Sequence, residues 1–82
     1  MDNCYICGGR ATETHHVFAG RGRRQLSDRY GLVVRLCRDC HDDVHRHPAR
    51  YEWLHEDFQR KAMQEQGWTI QEFIDRFGKN YI

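Results

Sequence analysis

The chain is poor in the features that would put it in a membrane or outside the cell. No apolar run approaches the roughly 20 residues a bilayer-spanning helix needs. Its start, "MDNCYICGG", has no basic stretch leading into an apolar core, so no secretory signal is expected. A cytoplasmic location is expected, where thiols stay reduced and cysteine pairs more often hold metal than form disulfides. Apolar residues are also scarce, at 39% of 82, and mean hydropathy is −0.92. One small domain with a thin core follows, of the kind that needs a covalent or metal staple. Proline occurs once, at Pro48, and asparagine is missing between Asn3 and Asn80.

Lysine is nearly absent as well, with two against eleven arginines. The positive charge is therefore guanidinium, whose fork matches phosphate oxygens as an ammonium cannot. Net charge is only +1, but it is unevenly placed. Residues 1–38 carry seven arginines against three acids, and residues 39–82 carry six basic residues against nine acids. Arg21, Arg23, Arg24, Arg29, Arg35 and Arg38 concentrate on one stretch, which favours a side that faces a polyanion.

What the chain does have is two CxxC pairs, Cys4 with Cys7 and Cys37 with Cys40. Four thiolates in two such pairs suit a tetrahedral structural zinc with no open position. Glycines follow the first pair in "CYICGGRA" and let the backbone turn around the sulfurs. Between the pairs, "TETHHVF" (12–18) reads as a short strand and "LVVRLC" (32–37) as the clearest one. "AGRGRRQLSDRYG" (19–31) reads as a loop, with Ser27 able to cap at most a brief turn. A helix should open at the second cysteine pair and end before Pro48. Tyr51, Leu54, Phe58 and Ala62 then form the apolar stripe of a helix over about 49–66, stopped by Gly67. "TIQE" (69–72) is a capping-box pattern, and Ile70, Phe73, Ile74 and Phe77 make a second stripe closed by Gly78.

The histidines outnumber what a zinc staple requires. His41 and His45 stand four apart on the helix at the second knuckle and share a face. His15 and His16 are adjacent on a strand, so they point to opposite faces. One of the two can join His41 and His45 on a second metal ion. The other stays free, with an ordinary pKa suited to general base work at cellular pH. A phosphodiester between them would meet a cation able to neutralise developing charge and a base able to deprotonate water.

These residues resemble the HNH (ββα-metal) endonucleases, in "HHV" on a strand followed by "LCRDCHDDVH". Over nearly the whole chain, from "ETHHVFAGRGRRQLSDRYGLVVRLCRDCHDDVH" to the closing "FGKNYI", the sequence is similar to small phage and prophage HNH proteins. The resemblance implies an α+β fold, a small ββα-metal, treble-clef-like, zinc-bound core over residues 1–48. A helical C-terminal extension over 49–82 would pack on it within a single domain. It implies a metal-dependent DNA endonuclease or nickase in a bacterial host cell, phage- or prophage-encoded. His15, His41 and His45 would hold a catalytic divalent ion (Mg²⁺, Mn²⁺, Ni²⁺ or Zn²⁺), and His16 would be the general base. The family's middle Asn, which orients that base, has no match, since Gly31 and Leu32 stand before the second strand.

In that architecture the loop bearing Arg21, Arg23 and Arg24 flanks the ion and contacts the DNA backbone, which positions a duplex without reading its sequence. His47 and His55 are expected at the surface. Trp53 and Trp68 are expected to pack rather than to stack on bases. The rival readings are a non-catalytic zinc-dependent DNA-binding module on the same scaffold, and an accessory protein. The latter would use the apolar tail to hold a second copy of the chain or a phage packaging or recombination partner.

Overall fold

In the computed structural model, which describes residues 2–20 and 22–82, the two CxxC pairs bracket a β-hairpin. Strand β1 (Glu13–His16) pairs antiparallel with β2 (Val33–Leu36), and His15 lies opposite Val34, His16 opposite Val33. The alternation of a strand sorts the side chains. Glu13 and His15 share a face with Leu36 and Val34, toward the interior, while Thr14 and His16 share the other with Arg35 and Val33. The adjacent histidines are thus separated by the pleat itself.

Helix α2 (Arg38–Arg46) grows directly out of the second knuckle. Cys37 caps it, its sulfur accepting the Cys40 amide at 3.4 Å. The helix ends at Arg46, ahead of a 3₁₀ turn over Pro48–Tyr51. Helix α3 (Glu52–Gln66) follows and reverses at Gly67, whose φ of 71° is a left-handed value open to glycine. Helix α4 (Ile70–Phe77) starts on a complete capping box, with Thr69 accepting the Glu72 amide and Glu72 accepting the Thr69 amide.

The core is made where these helices meet the hairpin. Leu54, Phe58 and Ala62 of α3 and Phe73 and Phe77 of α4 bury against Phe18, Leu32 and Leu36. Burying an aromatic or branched side chain contributes about 1.5–3 kcal/mol, so the C-terminal helices supply a large share of a thin core. No helix among the described residues is long and apolar enough to cross a membrane.

The expected loop over 19–31 is a correction. It contains helix α1 (Arg23–Arg29), which begins after Gly22 and ends before Gly31. The helix has no apolar stripe to announce it, and tertiary hydrogen bonds hold it. Ser27 is fully buried; its hydroxyl donates to the Phe18 carbonyl at 2.7 Å and accepts the Phe18 amide at 3.1 Å. Those bonds fasten α1 to the segment that leaves β1.

Candidate functional site

The four cysteines come together from the chain's start and the β2–α2 junction. One sulfur from each of Cys4, Cys7, Cys37 and Cys40 lies within 4.8 Å of all the others. Two sulfurs held by one tetrahedral zinc at ~2.3 Å stand about 3.8 Å apart, against ~2.05 Å in a disulfide. Cys7 and Cys37 are 3.8 Å apart and all four thiols are free. The set is positioned to bind a metal ion such as zinc. Amides point into it, from Cys7 to Cys4 at 3.5 Å and from Gly9 to Cys7 at 3.4 Å. Burial raises the Cys4 thiol, but hydrogen bonds from Cys7, Cys37 and Ile6 outweigh that and bring it down to about 6. Burial and the neighbouring thiols push Cys40 up.

A second cluster lies on the interior face of the hairpin. His15 of β1 meets His41 and His45 of α2, with ring centroids 5.2 and 5.6 Å away. A nitrogen from each of the three lies within 4.8 Å of the other two. The Nε2 atoms of His41 and His45 are 3.2 Å apart. Two nitrogens at ~2.05 Å from one tetrahedral ion would stand about 3.3 Å apart, so the pair has the bite of a chelate. His15 is buried, and that burial, with His41 and His45 beside it, pushes its pKa down to about 4. Its imidazole is therefore neutral near pH 7 and keeps a lone pair to offer.

The partners around this cluster were not visible in the sequence. Glu13, on the same strand face as His15, places Oε1 2.6 Å from Nδ1 of His41. That contact fixes a tautomer with the proton on Nδ1 and the lone pair on Nε2, the atom that faces His45. His16, on the opposite face, has its Nε2 2.8 Å from Oδ1 of Asp28 in α1. A carboxylate accepts, so Nε2 of His16 carries a proton and Nδ1 has the lone pair. The only sequence signal for Asp28 was its being an acid among arginines.

The arginine expectations divide. Arg24 is exposed and lines an open pocket of about 230 Å³ with His15, His16, His41 and His45. Arg23 is engaged elsewhere: its Nε donates to the Phe77 carbonyl at the end of α4. Gly78 leaves room for that guanidinium, since a Cβ there would collide with it at a φ of 82°. Arg21 lies outside the described residues. Arg38, at the start of α2, lines a second opening of about 420 Å³ with Glu13, His41, Asp42 and His45. His47 is exposed as expected, but His55 is not a plain surface residue. Its ring stacks on Tyr81 at 4.8 Å and its Nδ1 is sealed from solvent. Trp68 packs on Tyr30, with Arg76 over its ring at 4.3 Å.

Fold and site together define a small α+β protein, a two-stranded sheet with four α-helices among the described residues. Its cysteine cluster suits a metal ion, and a histidine triad lies beside the same hairpin. The chain belongs to the family described as "Protein of unknown function (DUF968)", which it matches over residues 1–70. No curated protein and no solved structure matches it.

Proposed function

We propose that this chain is a metal-dependent nuclease of the ββα-metal (HNH) type that hydrolyses DNA phosphodiesters, as an endonuclease or nickase. The observation that carries the reading is the division of labour between two adjacent histidines. His15 turns inward to a triad with ligand-like spacing, and His16 turns outward to a carboxylate. The hairpin and helix α2 are the elements a ββα frame needs, and a zinc held by the cysteine cluster would tie them together.

His15, His41 and His45 would hold a divalent ion, with Glu13 keeping the His41 tautomer that offers Nε2. Such an ion supplies charge stabilisation at a phosphate oxygen and at the departing oxygen. His16 takes a proton from water at Nδ1, because Asp28 occupies its Nε2. As the imidazolium forms, the Asp28 carboxylate stabilises its charge and holds the ring's orientation. Asp28 thus fills the orienting role for which the resembling family uses an asparagine. Arg24 is placed to hold a phosphate at the same opening.

A plasmid-nicking assay with Mg²⁺, Mn²⁺ and Ni²⁺, run beside His16→Ala, tests this. Metal-dependent nicking that is lost in His16→Ala is expected. Nicking that survives the substitution removes His16 from its role. Salt-sensitive binding without cutting makes the chain a zinc-dependent DNA-binding module on the same scaffold.

A further inference from the structure

A pocket of about 240 Å³ opens beside the histidine triad, lined by residues of α2, α3 and the segment after α4. It shares His15, His16 and His45 with the candidate site, yet its other walls are of different chemistry. Val17, Val44 and Pro48 make an apolar side, and His55 and Tyr81 make an aromatic one. The rings of His55 and Tyr81 lie nearly parallel, 4.8 Å apart at 27°. Behind them is Phe18, 5.3 Å from Tyr81 and 5.6 Å from His55, itself buried against Phe73 and Phe77.

Tyr81 is held there by its backbone. Gln59, fully buried on α3, accepts the Tyr81 amide at 2.7 Å and donates to the Asn80 side chain at 2.8 Å. A buried glutamine with both ends of its amide satisfied by residues 80 and 81 fixes the path of this segment. Nδ1 of His55 is sealed from solvent and has no hydrogen-bond partner among the described residues, and the Glu52 carboxylate is 3.9 Å from it.

A planar, partly apolar group with hydrogen-bonding edges fits such a wall, and it must be linked to a phosphate that reaches the histidines. We infer that this pocket is a nucleobase subsite, receiving the base next to the phosphate held at the triad, with Tyr81, backed by His55, as its stacking ring. The inference rests on the nuclease reading for the identity of the neighbouring phosphate. Of this wall, His55 lies within the family match over residues 1–70 and Tyr81 beyond it. Tyr81 would then set which nucleotide, or which strand geometry, is accepted.

The test uses the 82-residue chain and short single-stranded oligonucleotides with one 2-aminopurine moved along the strand. A matched series carries an abasic residue at each position, and zinc is supplied throughout on a His16→Ala background, so that the triad has its ion and binding is read without cleavage. Stacking quenches 2-aminopurine, and one base on an aromatic face strengthens binding by roughly five- to a hundredfold. Expected are a quench at one position and a loss of at least about fivefold in affinity on Tyr81→Ala or Tyr81→Leu. Tyr81→Phe should keep the affinity, and the abasic strand should bind Tyr81→Leu and parent equally. Tyr81→Leu fills the volume without a flat face, and thermal unfolding checks that the fold is kept. No quench at any position, or equal affinities for parent and Tyr81→Leu, overturns the subsite even if the protein nicks plasmid. A Tyr81-dependent quench, where the chain with His16 intact nicks nothing, keeps the subsite and ends the nuclease reading instead.

Discussion

Oε1 of Glu13 lies 2.6 Å from Nδ1 of His41, and Nε2 of the same imidazole faces Nε2 of His45 at 3.2 Å. One ring thus has a carboxylate at its back and a second imidazole at its front. Partners of this kind are worth about 10- to 100-fold in metal affinity. Glu13→Ala should weaken Co²⁺ or Ni²⁺ binding at the histidine cluster by that factor, read by calorimetric titration. Zinc held by the cysteines should be unchanged. Equal affinity in Glu13→Ala would mean that the contact does not set the tautomer of a ligand.

The pair formed by His16 and Asp28 makes a separate prediction. A positioned general base contributes roughly 10²- to 10⁴-fold to rate, and His16→Ala should lower kcat by that order. Asp28→Ala should leave His16 present but free to turn, and lower kcat by about tenfold or more with little change in KM. Asp28→Glu should recover part of the loss. A large rise in KM with kcat intact would instead make Asp28 a substrate-binding group.

Neighbouring arginines of α1 should behave oppositely. Arg24→Ala should weaken DNA binding and reduce the slope of log affinity against log salt by about one phosphate contact. Arg23→Ala should leave that slope alone and lower the stability of the fold, because its guanidinium serves the Phe77 carbonyl. Affinity measured over a salt series, beside urea unfolding of both variants, separates the two roles.

Ser27→Ala removes a buried hydroxyl that both donates to and accepts from the Phe18 backbone. Leaving those groups unpaired costs about 1–3 kcal/mol. A matching fall in the urea midpoint is expected, together with reduced nicking, since Asp28 is the next residue on the same helix.

The cysteine and histidine clusters were legible because their members repeat at short, regular intervals: two residues between the cysteines of each pair, three between His41 and His45. The two-residue period of a strand is enough to send His15 and His16 to opposite faces. Helix α1 was hidden because Arg23–Arg29 has no apolar stripe, and it is fastened through Ser27 to a residue nine positions away. Glu13 and Asp28 were hidden for a related reason. Each meets its histidine across a tertiary gap, 28 residues for Glu13 and 12 for Asp28, that no local pattern encodes. The sequence around His55 suggests a surface residue because its neighbour Tyr81 arrives from the far end of the chain.

Metal content at saturation tests most directly whether three imidazoles share one ion. Purified protein would be equilibrated with zinc, stripped of loose metal, and assayed per chain by mass spectrometry before and after mild chelation, beside His41→Ala. The expected result is one ion that resists chelation, held by Cys4, Cys7, Cys37 and Cys40, and a second that exchanges and is lost in His41→Ala. A single ion per chain at saturating metal, or a second ion that persists in His41→Ala, would contradict the shared site.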